Sequence, residues 1–202
     1  MKPQPLTQAR LEAAGIGAFF RPRDLGPLAV SFPELQRLVA AGSIEKVGRG
    51  LYRLAEAGQD QFESIAMVSS AVPSGIVCLL SALRIHGIGT QSPREVWIAL
   101  DRKARKPASL ATAVRIVRFS GAMLTYGVQR RSILGVPVRI TSPARTVVDC
   151  FRYRSKLGLD VALEALREAL RTRIATVDEI LRSAEVCRAR TVMRTYLEAL
   201  AP

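Results

Sequence analysis

Apolar side chains recur at helical spacing through the first thirty residues and are interrupted by turn-forming residues. This periodicity predicts a helix over Thr7–Gly15 and a second, shorter helix over Arg21–Leu28. Pro22 suits the first turn of the second helix, because an N–H at that position has no partner within the helix. Gly26-Pro27 interrupts the end of the same segment, so we expect a helix of only about two turns.

A third helix has the clearest start signal in the chain. Ser31 and Glu34 have the spacing of a capping box, in which each side chain accepts a hydrogen bond from a backbone N–H that the helix leaves free. Leu35, Leu38 and Val39 then fall on one face of the segment. The pattern predicts an amphipathic helix with one polar, solvent-facing side.

Two short runs of strand-forming residues follow Gly42, which is placed to end the third helix. Ile44–Val47 and Leu51–Leu54 predict two strands around Gly48-Arg49-Gly50. Glycine on both sides of Arg49 permits a tight turn that directs the guanidinium outward. A helix, a turn, a second helix and a hairpin, in this order, are typical of a winged helix-turn-helix, whose recognition helix enters the DNA major groove.

The remaining residues predict a second domain of strands and helices. The predicted elements, in chain order, are two helices, two strands, a hairpin and four helices: Phe62–Val72, Ile76–Ile85, Glu95–Leu100, Val114–Phe119, Val128–Ile140, a helix capped by Ser142, Val161–Leu170, Ile180–Ala184 after a capping box at Thr176 and Glu179, and a last helix around Met193. We therefore expect an α+β chain. It has a winged helix-turn-helix over 1–54, a polar linker over 55–61, and a mixed α/β domain over 62–202 with a small sheet and a helical C-terminal half.

The chain is strongly basic, with a formal net charge of +13 and a pI of about 10.8. The excess is concentrated in residues 61–142, which hold 11 Lys and Arg against 3 Asp and Glu, whereas residues 1–60 hold 8 against 6. Such a field attracts polyanions whatever their sequence. A solvated surface rich in arginine would give the same composition, so charge alone does not identify a partner.

The polar face of the third helix carries the residues that we expect to read DNA. Arg37 can donate two hydrogen bonds to guanine O6 and N7, Gln36 can pair with adenine, and Ala40 can contact a thymine methyl group. Ser31, at the helix start, completes the predicted contacts. This small set of readers predicts weak binding by one copy, and hence a dimer or paired sites on a tight operator. An ordinary solvated helix face is the alternative interpretation.

A second set of cations is expected to hold the DNA backbone without reading sequence. Arg49, at the predicted wing tip, is directed at a phosphate or a narrow minor groove. Arg21 and Arg23 begin the second helix, and Lys46 and Arg53 flank the wing. Each phosphate contact of this kind contributes about one unit to the salt dependence of binding.

Four further cations lie within five residues, after the predicted strand Glu95–Leu100. They are Arg102, Lys103, Arg105 and Lys106. A second nucleic-acid contact, a site for an acidic partner and a solvated loop all fit this cluster. The sequence leaves these alternatives open.

The sequence predicts neither a metal site nor a membrane anchor. Cys78, Cys150 and Cys187 are far apart and lie among apolar residues, and His86 is the single histidine, so a zinc site is not expected. Buried thiols in a reducing cytoplasm explain the cysteines. The first ten residues lack the apolar core of a signal peptide, and no apolar stretch approaches the length of a membrane span.

One alternative is an enzyme. Glu95, Asp101 and Lys103 resemble the triad of a metal-dependent nuclease, in which two carboxylates hold Mg²⁺ and a lysine orients water. The two carboxylates stand at opposite ends of a predicted strand, however, and an extended strand would separate them by about 20 Å, too far to share one metal ion. We therefore expect no enzyme activity and no cofactor.

Several segments together resemble the AbiEi family of antitoxins from bacterial type IV toxin–antitoxin systems. In the first domain the resemblance rests on LQRLVAAGSIEKVGRGLYRL (Leu35–Leu54). In the second it rests on SALRIHG (Ser81–Gly87), VWIAL (Val96–Leu100) and the long segment Gly135–Leu170, within which TSPARTVVD (Thr141–Asp149) is the most specific part.

The resemblance implies an antitoxin that also represses its own operon. The N-terminal domain would bind repeats in the promoter, and the C-terminal domain would counteract a toxin similar to nucleotidyltransferases. Type IV antitoxins act without a stable complex with the toxin, so the resemblance does not imply direct contact. Arg145 and Asp149, one helical turn apart, have either a structural role as an ion pair or a role in antitoxin activity. A stand-alone regulator with a ligand-sensing or partner-sensing C-terminal domain is the alternative function.

Overall fold

The computed structural model describes residues 6–55, 61–107, 110 and 112–200, and these form two compact units. The first unit comprises Met1–Pro73, Lys106–Ala113 and Arg131–Val138, and the second comprises Ser74–Arg105, Val114–Arg130 and Arg139–Pro202. The fold is α+β with two small sheets and a helical C-terminal half, as the sequence predicts. The predicted linker over 55–61 lies almost entirely outside the described residues.

Four helices lie in the described part of the first unit. They are α1 (Gln8–Ala13), a 3-10 helix (Pro22–Leu28), α2 (Phe32–Ala40) and α3 (Glu63–Ala71). The Ser31 hydroxyl accepts a hydrogen bond from the Glu34 backbone N–H, which is one arm of the predicted capping box. Pro22 opens the 3-10 helix. Its seven residues agree with the predicted length of about two turns, but the helix runs through Gly26-Pro27 to Leu28 and is not interrupted there.

A three-stranded antiparallel sheet forms the wing. Its strands are β1 (Phe19–Phe20), β2 (Ile44–Gly48) and β3 (Leu51–Leu54), in the order β1-β3-β2. Strands β2 and β3 confirm the predicted hairpin, whereas β1 was not predicted. Phe20, Leu25, Leu35 and Ile44 are at most 1% exposed and pack with Leu11 into one core. The burial of Leu35 fixes which face of α2 points away from solvent.

Within the first unit, a hairpin tip from later in the chain packs against the N-terminal segment at a point where two glycine backbones almost touch. The Ala18 N–H donates to the Leu134 carbonyl over 2.8 Å. A Cβ placed on Gly17 would lie 2.7 Å from the Gly135 carbonyl carbon, closer than side-chain carbons approach backbone atoms. Glycine is therefore required at position 17 for this packing.

We expect Gly17→Ala to destabilise the first unit by about 1–3 kcal/mol, the usual cost of forcing an added methyl group into a packed interior. Hydrogen exchange measures the effect, because the Ala18 amide that bonds to Leu134 would lose protection. Gly26→Ala is the matched control, since a Cβ at position 26 meets nothing within 4 Å. Equal protection of the Ala18 amide in both variants would contradict the close approach.

The second unit is built on the larger sheet. Its strands are β4 (Ile76–Val77), β5 (Val96–Asp101), β6 (Val114–Phe119), β7 (Val128–Ile133) and β8 (Val136–Thr141), in the order β6-β5-β4-β8-β7. Strands β5 and β6 pair in parallel over six residues, from Val96 opposite Val114 to Asp101 opposite Phe119. The bounds of β6 match the prediction. The tip of the β7–β8 hairpin belongs to the first unit.

Six helices complete the second unit. They are α4 (Leu79–His86), α5 (Pro143–Arg152), α6 (Arg154–Leu157), α7 (Leu159–Arg171), α8 (Val177–Val186) and α9 (Arg190–Leu200). The capping box of Thr176 and Glu179 is present at the start of α8. All eight residues from Ala144 to Phe151 on α5 are buried, so α5 is the central helix of this unit.

The segment predicted as one helix over Ile76–Ile85 is divided in the structure. Ile76 and Val77 form β4, which pairs with β5 on one side and β8 on the other. Cys78 is extended, and Leu79, the first residue of α4, has a φ of +51°. Apolar helices and buried central strands have the same composition, so the local pattern could not separate them.

Candidate nucleic-acid interface

Helix α2 has one buried face and one exposed face. Leu35 is 1% exposed, whereas Gln36, Arg37 and Ala40 are exposed. Within the described part of the chain, the side chains of Gln36 and Arg37 have no hydrogen-bond or ion-pair partner. Their polar groups are therefore available to a partner at no cost in internal contacts.

The turn before α2 sets the direction of the helix. Ala29 has a left-handed backbone with a φ of +53°, and its N–H donates to the Gly26 carbonyl. Ser31 is extended and caps α2. Ser31 is an exposed residue, and its hydroxyl, which accepts the capping bond, retains its own O–H for an external acceptor.

The wing directs a cation outward as the glycine spacing predicts. Gly48 pairs with Leu51, which leaves Arg49 and Gly50 as the two turn residues, and Gly50 has a φ of +64°. Arg49 at the tip and Lys46 on β2 are exposed. Neither side chain has a partner in the described ranges. The wing therefore offers two free cations.

The structure places Arg53 differently from the expectation. Its guanidinium donates to Glu45 on the neighbouring strand over 2.7 Å and also to Glu63 on α3. The hydrogen bond with the Glu45 carboxylate raises the pKa of the Arg53 guanidinium, and the Glu63 charge adds to this. Because two carboxylates already neutralise Arg53, we leave it out of the proposed interface.

The two arginines at the start of the 3-10 helix, Arg21 and Arg23, differ in how far their side chains are already bound within the protein. Arg21 is half-buried and donates to the Ala71 carbonyl over 3.1 Å, so part of its binding capacity holds α3 in place. The Arg23 side chain is 76% exposed, with Asp24 at 3.6 Å. Arg23 is therefore the more accessible of the two for a phosphate group.

The basic cluster after β5 is an ordered turn. Arg118 on β6 donates to the carbonyls of Asp101 and Ala104, each over 2.8 Å, and Asp101 accepts from the Lys103 backbone N–H. These bonds define the turn from which Arg102, Lys103 and Arg105 extend into solvent. Lys106 is also exposed but belongs to the first unit. The functional alternatives for these four cations stay predictions.

The two carboxylates of the nuclease-like alternative, Glu95 and Asp101, each have a different partner. Glu95 pairs with Arg115 over 2.9 Å, while the Asp101 carboxylate accepts a hydrogen bond from the Lys103 backbone N–H. Glu95 directly precedes β5 and Asp101 is its last residue, so the two carboxylates stand at opposite ends of the strand, as the sequence predicts. In residues 6–55, 61–107 and the described positions beyond, no three His, Cys, Asp or Glu side chains are grouped so as to hold a metal ion.

The cysteines and the histidine occupy the interior, as predicted. Cys78, Cys150 and Cys187 are buried free thiols, and burial raises the pKa of Cys187 to about 11. His86 is 7% exposed, and its Nε2 lies 2.7 Å from the Thr141 carbonyl. Among the helices of the described residues, none has the length and apolar character needed to cross a membrane.

An ion pair lies at the centre of the second unit. Arg145 and Asp149 on α5 are both 0% exposed, with Arg145 Nε 2.9 Å from Asp149 Oδ2. Arg145 also donates to the carbonyls of Tyr126 and Met123 and lies over the Phe119 ring. A pair without access to solvent cannot contact a partner protein in this conformation, which supports its structural role.

Burial raises the pKa of Asp149 from its ordinary 3.8 to about 6, against the opposing effect of Arg145. As the pH rises, this carboxyl group loses its proton at a lower pH in the unfolded chain than in the folded chain. Its contribution to the stability of the folded chain therefore falls as the pH rises from about 4 to about 6. We expect the free energy of unfolding of the wild type, relative to Asp149→Asn, to fall over this range and then to level off. Urea unfolding at stepped pH values checks this. A difference that rises or stays constant would contradict it.

The first unit therefore has the fold and the free cations of a winged-helix DNA-binding module, joined in one chain to an α/β domain. This is the class of a DNA-binding regulator with a second functional domain. A family model described as "Transcriptional regulator, AbiEi antitoxin" matches residues 8–55, and one described as "AbiEi antitoxin C-terminal domain" matches residues 75–198. The chain belongs to the AbiEi antitoxin family and has the domains of a DNA-binding antitoxin.

The fold is also similar to a solved structure. A crystal structure of the RV2827C protein from Mycobacterium tuberculosis has a TM-score of 0.61 and 14% sequence identity, over 96% of this chain and 78% of that chain. At this identity the likeness shows the fold alone. A search of curated proteins gave no match.

One exposed residue on α2 was not anticipated from the sequence. Phe32, the first residue of the helix, is 58% exposed. A phenylalanine next to an apolar helix face is typically a core residue, so the sequence gave no indication that Phe32 would be exposed. The capping serine immediately before it marks the helix start, where a recognition helix meets DNA.

Proposed function

We propose that this protein is an antitoxin that represses its own toxin–antitoxin operon and counteracts a nucleotidyltransferase-like toxin. One observation carries the DNA-binding part: α2 exposes Gln36 and Arg37, the wing of the same unit exposes Arg49, and none of these three side chains has a partner among the described residues. Membership of the AbiEi antitoxin family supports the antitoxin part.

In the proposed complex, α2 lies in the major groove. Arg37 pairs with a guanine, Gln36 with an adenine, and Ala40 contacts a thymine methyl group. Ser31 donates to a phosphate or base near the helix start. Arg49, Lys46 and Arg23, assisted by the accessible part of Arg21, bind the phosphate backbone and set the register of the helix without reading sequence. Promoter repeats would supply paired sites for two copies.

The DNA-binding part is tested with the DNA upstream of the protein's own gene. We expect the purified full chain to shift this fragment at concentrations that leave a shuffled fragment of equal length free, with affinity that falls as salt rises. Footprinting then locates the protected segment, and probes with one repeat or two measure whether the copies bind cooperatively. Equal affinity for the native and shuffled fragments would contradict operator recognition.

The antitoxin part is tested by co-expression with the adjacent gene. We expect this protein to rescue growth when the neighbouring nucleotidyltransferase-like protein is toxic. Direct contact between the two proteins is not required for rescue. Operator binding without rescue would instead favour a stand-alone transcription regulator.

We further propose that the protein acts in the cytoplasm and without catalytic activity of its own. Glu95 pairs with Arg115 and Asp101 accepts from the Lys103 N–H. These different partners support the absence of a DNA-cleaving activity. Incubation of plasmid DNA with the protein and Mg²⁺ or Mn²⁺ should give no nicking. Metal-dependent nicking that Asp101→Asn abolishes would show a nuclease.

A further inference from the structure

Phe32 has the highest exposure among the large hydrophobic residues described as exposed, at 58% against 45% for Val177, 40% for Leu159 and 38% for Ile174. Single apolar residues on a surface are ordinary and need no explanation. The position of Phe32 sets it apart, because it is the first residue of the helix that carries Gln36 and Arg37.

The phenyl ring lies at the border between the apolar and polar faces of α2. Gln36 follows Phe32 by four residues, which places both side chains on one side of the helix, one turn apart. Leu35, Leu38 and Val39 contribute the α2 side chains of the core of the first unit. The ring of Phe32 thus extends the exposed reading face of Gln36 and Arg37 towards the start of the helix.

The start of a recognition helix is the part that contacts base edges. A phenyl ring has no hydrogen-bonding group, so it cannot pair with a base nitrogen or oxygen. The major groove offers one apolar group in ordinary DNA, the 5-methyl group of thymine, and phenylalanine is among the side chains that contact it. A ring at this position would bury that methyl group and its own exposed surface together.

We propose that Phe32 is a specificity-determining residue that recognises a thymine through its 5-methyl group. This inference rests on the proposed operator binding and adds an apolar contact to the polar readers Gln36 and Arg37. It assigns the exposed ring to DNA rather than to a protein partner.

The experiment replaces thymine by uracil, one position at a time, in the segment that the wild type protects. Each replacement removes one methyl group and leaves the pairing intact. Besides the thymine assigned to Ala40, we expect one further thymine in each half-site at which uracil lowers wild-type affinity about fourfold, because burial of one such group contributes about 0.8 kcal/mol and 1.4 kcal/mol corresponds to a factor of ten. Phe32→Ala should bind the native segment more weakly and should no longer distinguish uracil from thymine at that position.

Two variants serve as controls. Phe32→Leu keeps an apolar side chain and should retain part of the discrimination. Val177→Ala shortens another exposed apolar residue, in the second unit, and should leave the whole uracil profile unchanged. Thermal unfolding of Phe32→Ala should match the wild type, since the ring is mostly in solvent.

The outcomes separate this inference from the proposed function. If the wild type protects no segment, operator binding itself is wrong. If it protects a segment but tolerates uracil everywhere, operator binding stands and the methyl contacts of both Phe32 and Ala40 are overturned. If Phe32→Ala keeps the wild-type profile, only the assignment of Phe32 is overturned. Weaker binding of Phe32→Ala with an unchanged uracil profile also overturns it, because the ring then contacts something other than a methyl group.

Discussion

Arg145→Ala is expected to destabilise the second unit by about 3–5 kcal/mol, the cost of leaving one member of a buried ion pair without its partner. The guanidinium donates to Asp149, to the Tyr126 carbonyl over 2.7 Å and to the Met123 carbonyl over 3.2 Å. Asp149 Oδ1 finds no donor at hydrogen-bonding distance among the described residues, so without Arg145 the buried carboxylate would keep only the weaker support of the Cys187 side chain and the Arg152 charge.

Urea unfolding followed by tryptophan fluorescence measures this effect, because the single tryptophan, Trp97, lies in the core of the second unit. Asp149→Asn is the control. An amide keeps the shape and an oxygen that accepts from Arg145 Nε, and it removes the penalty for burying a carboxylate. It leaves the Arg145 charge without a counter-charge, but the guanidinium keeps its bonds to the Tyr126 and Met123 carbonyls. We expect Asp149→Asn to lower the free energy of unfolding by less than half as much as Arg145→Ala does. Similar losses for the two variants would show that the charge of Asp149, rather than the bonds of Arg145, holds this region together.

The local signals in the sequence predicted the elements that local interactions determine. Ser31, Ser142 and Thr176 each cap a helix through a bond to a residue three positions later, and such a bond is readable from spacing alone. The exposed face of α2 followed from the helical period for the same reason. The bounds of β6 followed from its strand-forming composition.

Elements that depend on distant partners could not be predicted in this way. Strands β1 and β4 have two residues each and exist through pairing with strands far along the chain, β1 with β3 and β4 with β5 and β8. The ion pair of Arg53 with Glu63 could not be predicted for the same reason, since Glu63 on α3 approaches Arg53 only in the folded unit. The exposure of Phe32 likewise depends on which residues fill the core.

The double variant Arg37→Ala/Arg49→Ala is expected to lose operator recognition while folding normally. Arg37 would supply about 1–3 kcal/mol of discrimination through a bidentate contact with guanine. Loss of one phosphate contact at Arg49 should lower the slope of binding against salt by about one unit. Unpaired, exposed side chains contribute little to stability, so unfolding should match the wild type.

Titration of native and shuffled fragments over a range of salt concentrations separates the two arginines. Arg37→Ala alone should bring the two fragments closer in affinity, whereas Arg49→Ala alone should weaken both and flatten the salt dependence. Arg167→Ala/Arg182→Ala is the matched control, because it also removes two exposed cations from a chain of net charge +13 but takes them from α7 and α8. General attraction of a basic protein for DNA falls equally in the two double variants. Equal losses of affinity would therefore mean that charge, and not the groove-facing helix with its wing, accounts for binding.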